Sequence, residues 1–237
     1  MLTDLVRLGD PQFWVSVVEI IWINVLLSGD NAIVIALACR SLPPKQRLSG
    51  MVIGTAVALA MRLVFASVVS SLMVFPYIKI VGGLALLWIA VKLLLPTKEE
   101  DAAPDSTDSL WRAVKIIALA DIVMSLDNVI AVAAAAKGNY ALLVFGLGVS
   151  VPAIVAGATI IMAMLNYFPL LLWAGAALLG WIAGDLFASD PVILNEADLL
   201  GQGGEEKIHL VSSALAALCT VVAGVWFRRR MQAKETA

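Results

Sequence analysis

About 20 consecutive, mostly apolar residues carry an α-helix across a hydrocarbon core about 30 Å thick, and seven such runs lie within these 237 residues. They cover roughly residues 13–38, 49–73, 77–95, 111–136, 140–165, 169–187 and 208–227. Soluble domains are about 45–50% apolar and about 25% charged. Here 61% of residues are hydrophobic and 14% charged, with a mean hydropathy of +0.95. One soluble core could not bury that excess behind so sparse a charged surface. Polar or proline-bearing breaks separate the runs, among them Arg40 to Arg47, Phe75-Pro76, Thr97 to Ser109, Lys137-Gly138-Asn139, Asn166 to Pro169 and Ser189 to Lys207. The expected fold is all-α: one polytopic bundle of transmembrane helices over residues 1–237.

The same composition excludes other classes. A net charge of −2 without a basic domain speaks against nucleic-acid binding. Cys39 and Cys219 both sit inside apolar runs and read as small packed residues, not a redox pair. His209 is the single histidine and cannot build a histidine-rich metal site. The leader before the first run holds Asp4 and Asp10 against Arg7, the wrong charge for a signal peptide, and the run itself carries Glu19, Asn24, Asp30 and Asn31. It is expected to be a retained span. The acidic connectors 96–110 and 188–207 read as flexible, solvated loops.

Lysine and arginine mark the cytoplasmic ends of membrane helices. Of the 16 basic residues, Arg7, Lys79, Lys137 and Lys207 fall on the amino-terminal side, eleven fall on the other, and Arg62 lies within a span. The bias places the amino terminus outside and the Arg228-Arg229-Arg230 tail in the cytoplasm of a cell whose cytoplasmic (inner) membrane the chain crosses repeatedly.

An internal similarity organises the spans. Asn24 to Val34 contains Ser28-Gly29-Asp30-Asn31, and Asp121 to Ala131 contains Ser125-Leu126-Asp127-Asn128. The two acids stand 97 residues apart, each with a further polar residue, Asn24 or Asp121, six positions before it. Three spans fit within that offset, so the second copy enters from the opposite side of the membrane. Such an inverted repeat places a binding site where its halves meet. Repeat one covers about 13–95 and repeat two about 111–187; the helix at about 208–227 falls outside the scheme and is expected to be peripheral.

Ionisable groups inside a span cost about 2.5–3.5 kcal/mol each on insertion scales. Glu19, Asp30, Asp121, Asp127 and Asp185 lie in or near the ends of spans, against Arg62 as the one deep base. Some acids can be protonated on burial; the alternative is a bound cation. Carboxylates, amide carbonyls and hydroxyls are hard donors suited to Mg2+, Ca2+ or Mn2+. On a helix, Asn24, Ser28 and Asn31 share a stripe, as do Asp121, Ser125 and Asn128, with Asp30 and Asp127 to the side. A local unwinding at Gly29 would turn Asp30 inward. Two crossing helices would then offer two Asp-Asn pairs to one ion, with Asp121 as a fifth ligand. Plainer roles exist beside these. Asn and Ser hydrogen-bond helices together in membranes, Asp185 and Glu19 can reach interfacial water, and Arg62 can neutralise one aspartate as a structural ion pair.

The two motifs, in a seven-span chain of this length, resemble the TerC family of integral membrane proteins and its short bacterial YjbE-type branch, over roughly residues 10–230. That resemblance implies export of Mn2+ across the cytoplasmic membrane. It carries Asp30, Asn31, Asp127 and Asn128 over as metal-binding residues; Glu19, Asn24 and Asp121 join them from the stripe argument. The expected function is therefore a secondary transporter, not an enzyme, exporting a divalent cation by alternating access, with Asp121 or Glu19 exchanging protons if it is an antiporter. No phosphate-binding loop for ATP is present. The expected partners are the bilayer and the metal cargo, with no resident cofactor and no nucleic acid; a homo-oligomer is compatible with the bundle. Two other classes compete. A non-transporting scaffold for metal loading or for tellurium and metal stress has no need of a duplicated acid pair. An intramembrane aspartyl protease would need a Gly-rich context that Leu126 breaks.

Overall fold

The structure, a computed structural model, describes residues 29–72, 77–95, 107–135, 140–197 and 204–235, with positions 15 and 18; side chains at 65–72, 107–108, 126–135, 140–147, 195–197 and 234–235 are outside the description. Eight helices and no strands occur among the described residues. They are α1 (Gly29–Cys39), α2 (Pro44–Leu72), α3 (Ile78–Leu94), α4 (Thr107–Ala135), α5 (Tyr140–Tyr167), α6 (Leu170–Ala188), α7 (Pro191–Ala197) and α8 (Gly204–Glu235). Four stretches are long and apolar enough to cross a bilayer: Pro44–Val64, Gly148–Tyr167, Leu170–Ala188 and Gly204–Ala233. Of the other expected spans, α1 supplies 11 residues, α3 supplies 17, and α4 runs for 29 with Asp121 and Asp127 along its length.

Backbone groups in a bilayer must be satisfied within the chain, which leaves helices as the answer to such apolar runs. The side chains agree. Val64, Val81, Leu84, Ile160, Leu210, Leu218 and Val222 all stand well exposed, an outward apolar face that a lipid bilayer covers and water would not.

The chain forms two compact units. The first takes residues 1–70 and 110–161 and the second residues 71–109 and 162–237. In the first, α1, α2, α4 and α5 bury Val34, Ile35, Leu37, Met51, Ala58, Ile117, Ala120 and Ala158. Here α2 and α4 run in the same direction at close range. A Cβ on Gly54 of α2 would stand 2.5 Å from Ile117 Cδ1 of α4, so a larger residue there would require the end of the Ile117 side chain to move.

In the second unit α6 packs against α8 and α3, and α3 also meets α8. The α6–α8 contact is a small-residue seam of the kind membrane helices use for close approach. A Cβ on Gly180 would stand 2.9 Å from the Ala216 carbonyl oxygen, and one on Gly184 2.5 Å from Ser213 Cα. Ser212 Oγ donates to the Gly184 carbonyl at 2.7 Å. The helix expected to be peripheral is thus a full packing partner in its own unit.

The expectation of a flexible, solvated connector over 188–207 needs correction, whereas most of the connector 96–110 lies outside the described residues. Within 188–207 the chain forms α7, α8 already starts at Gly204, and Asp190 is fully buried. Its carboxylate accepts from the N–H groups of Tyr77 (3.2 Å), Ile80 (3.4 Å) and Val192 (3.1 Å). One side chain caps α7 and ties it to the start of α3. Asp185 behaves as expected of a residue near a helix end: its side chain is 51% exposed, with Oδ1 2.6 Å from His209 Nδ1 on α8.

Candidate functional site

Two charged side chains are buried together in the first unit. Arg62 on α2 is 5% exposed and Asp121 on α4 is 6% exposed. The parallel register set at Gly54 and Ile117 continues along both helices, so that further along Arg62 stands beside Asp121 and Ser125. Arg62 Nη2 pairs with Asp121 Oδ1, and Arg62 Nε donates to Ser125 Oγ at 3.0 Å. Ser125 Oγ donates onward to Asp121 Oδ2 at 3.2 Å. The three groups close a ring of charge-assisted hydrogen bonds. Each ion pays several kcal/mol for leaving water, and removing one partner of such a pair costs about 3–5 kcal/mol.

The ring borders a cavity of about 20 Å³ lined by α1, α2, α4 and α5. Its polar lining is Asn31, Thr55, Arg62, Asp121 and Ser150, and the rest is aliphatic. That volume holds about one water-sized guest. Pro152 lies inside α5 two residues from Ser150, and lacking an N–H it leaves the carbonyl of residue 148 without its helical donor.

Asn31 is the unsatisfied member. It is 6% exposed, and its Nδ2 has no hydrogen-bond partner among the described residues. Leaving such a group dry costs on the order of 1–3 kcal/mol, so the position calls for a guest. A half-turn of the amide exchanges oxygen for nitrogen, and Asn31 can then offer an acceptor to a cation. Its neighbour Asp30 is half-buried, and Asp30 Oδ1 accepts from the Asn31 N–H at 2.8 Å.

The cavity thus joins one residue of the first motif, Asn31, to one of the second stripe, Asp121. Asp127 and Asn128 belong to α4, but their side chains lie outside the described residues, as do Glu19 and Asn24 altogether. The expected meeting of Asp30 with Asp127 falls on that boundary. The local unwinding expected at Gly29 is not seen among the described residues, where α1 is regular from Gly29 onward; the residues just before it lie outside the description. A Cβ on Gly29 would meet nothing within 4 Å, so packing does not demand glycine there. Among the described residues no group of three His, Cys, Asp or Glu side chains is placed to hold a metal. A cation in this cavity would rely on amide, hydroxyl and carboxylate oxygens in combination.

Thr55 and Ser150 join the lining unannounced by the sequence. Thr55 Oγ1 donates to the Met51 carbonyl at 2.7 Å, the ordinary habit of threonine in a helix, and an isolated hydroxyl in an apolar run gives no signal beyond that.

Comparison with known proteins agrees with this membrane architecture. The sequence model described as "Integral membrane protein TerC family" matches residues 9–232. The uncharacterized membrane protein YjbE of Bacillus subtilis (strain 168) is 44% identical over 181 residues, 76% of this chain and 83% of YjbE. The uncharacterized membrane protein YceF of the same organism is 31% identical over 149 residues, 59% of this chain and 58% of YceF. The UPF0053 inner membrane protein YoaE of Escherichia coli (strain K12) is 32% identical over 142 residues, 52% of this chain but 27% of YoaE. No solved structure matches. The chain belongs to the TerC family of integral membrane proteins.

Proposed function

We propose that the protein is a secondary transporter that exports a divalent metal cation, Mn2+ foremost, across the cytoplasmic membrane by alternating access, and that it is not an enzyme. The observation that carries this reading is the cavity that Asn31 and Asp121, on the two motif-bearing helices, both line, one with an unsatisfied amide and the other with a buried carboxylate. Hard oxygen donors of this kind suit Mg2+, Ca2+ and Mn2+; the choice of Mn2+ comes from the resemblance to the TerC family. Asp30 and Asp127 are the principal ligands, with Asn31, Asn128 and Asn24 completing the oxygen shell. Asp121 or Glu19 exchanges protons during the cycle.

In this reading seven spans form an inverted three-plus-three repeat with one added helix, amino terminus outside and carboxyl terminus inside. Three tryptophan–cation pairs in the second unit support that orientation. Lys92 stands 4.4 Å from the Trp88 ring, Arg230 4.1 Å from Trp226, and Arg228 6.0 Å from Trp173. All three fall at helix ends that the charge bias assigns to the cytoplasm, where aromatic and basic residues anchor spans.

The test is Mn2+ flux into and out of liposomes holding the purified protein. The wild type moves Mn2+, and Asp30→Asn lowers the initial rate at least tenfold. Wild-type protein that passes no divalent cation would end the transport reading.

A further inference from the structure

The geometry points to Arg62 as a tethered counter-cation that holds Asp121 while the cavity is empty and must release it for a divalent cation to be bound. This inference rests on the transport reading above and says how the same site handles charge.

With no metal present, a lone carboxylate on Asp121 would be costly at 6% exposure. Arg62 neutralises it, and Ser125 holds both partners in register by accepting from one and donating to the other. The two charges of the pair thereby offset one another. A guanidinium stays protonated under all ordinary conditions, so Arg62 cannot relieve a conflict by losing its proton. A divalent cation entering a space of about 20 Å³ bordered by Arg62 would bring two positive charges against a third at close range. Like charges at such separation in a low-dielectric site repel strongly.

The conflict resolves if the guanidinium leaves Asp121, and its departure achieves two ends together. It frees a carboxylate oxygen in the cavity that the unsatisfied Asn31 amide also lines, and it enlarges a space that otherwise takes one water-sized guest. Arg62 and the metal then compete for the same anion, and the protein closes around one or the other. A purely structural ion pair between α2 and α4 would use the same three residues but would stay intact when metal binds.

Competition has a sign that a structural role lacks. Arg62→Gln removes the competitor, so purified protein should bind Mn2+ at least tenfold more tightly. In liposomes its KM for Mn2+ should fall together with kcat, because release is now slower. Arg62→Lys keeps the charge and should stay within about threefold of wild-type affinity. In Arg62→Gln/Asp121→Asn the freed carboxylate is gone, and the tightening should disappear. Titration of Mn2+ alone against each detergent-solubilised variant, with size-exclusion profiles as the check of folding, reads all of these. If the wild type transports Mn2+ while a folded Arg62→Gln binds it no more tightly, the counter-cation role is overturned and the transport reading survives. If the wild type neither binds nor moves Mn2+ or any other divalent cation, both fall. Where Arg62→Gln does not fold, Ser125→Ala decides, since it removes only the hydroxyl that ties the pair. Mn2+ binding tightened two- to fivefold supports the proposal, and unchanged or weaker binding overturns it.

Discussion

A fully buried carboxylate with three backbone N–H donors around it is a structural part, and Asp190 is built that way. It stands at the position before Pro191, and its Oδ1 accepts from Val192, the second residue of α7, as an N-cap does. The same side chain holds Tyr77 in a left-handed conformation (φ 69°) at the start of α3, a conformation that disfavours a side chain by about 1–2 kcal/mol. Asp190→Ala should therefore lose on the order of 1–3 kcal/mol, read as a melting temperature lowered by several degrees in detergent. Asp190→Asn keeps one carbonyl oxygen and should lose less. Sequence alone places Asp190 in a solvated loop and misses the helix that starts at Pro191; the reach of the Asp190 side chain to Tyr77, 113 residues away, is not legible either, because no local pattern encodes a contact at that separation. Arg62 shows the same limit. A single deep base among five acids announces an ion pair, but only the register of α2 against α4 selects Asp121 as the partner.

Among the helices, agreement with the hydrophobic pattern is closest where membrane and helix end together. The expected run 77–95 matches Ile78–Leu94, and 169–187 matches Leu170–Ala188. It is poorer where charged residues flank the apolar run. Helix α8 extends over Gly204–Glu235 against an expected 208–227, and α4 begins at Thr107, not near 111. Hydropathy follows the hydrocarbon slab, whereas backbone hydrogen bonding continues past it until a cap or a breaker intervenes. The α6–α8 seam is visible in the sequence as a Gly-x-x-x-Gly spacing at Gly180 and Gly184, but its partner is not. Because the close approach of the two helices leaves no room for a side chain, Gly184→Leu should force α8 away from α6 at about 1–3 kcal/mol, the usual range for overpacking. Limited proteolysis should then cut near the start of α8 sooner than in the wild type, while Gly148→Ala, where a Cβ would meet nothing within 4 Å, should leave the digestion unchanged.

For the whole molecule the decisive quantity is how many times the chain crosses between its two motifs. Helices α2 and α4 run in the same direction, with Gly54 beside Ile117 and Arg62 beside Asp121. A chain that leaves along one and re-enters along the other must recross in between, and the turn between Cys39 and Pro44 is too short to separate α1 from α2 by more than one reversal. In the proposed topology α1 and α4 therefore traverse the membrane in opposite senses, which is what an inverted duplication requires. The proposed orientation follows the same scheme: eleven basic residues against four are expected on one face, and an excess of lysine and arginine marks the cytoplasmic side. Reporter fusions read the assignment directly. Alkaline phosphatase joined after Asp101 should be inactive and after Gly138 active, and green fluorescent protein joined after Ala237 should fluoresce. Equal phosphatase activity at Asp101 and Gly138 would place both ends of the second motif helix on one side of the membrane, and an inverted repeat could not be built from such a chain.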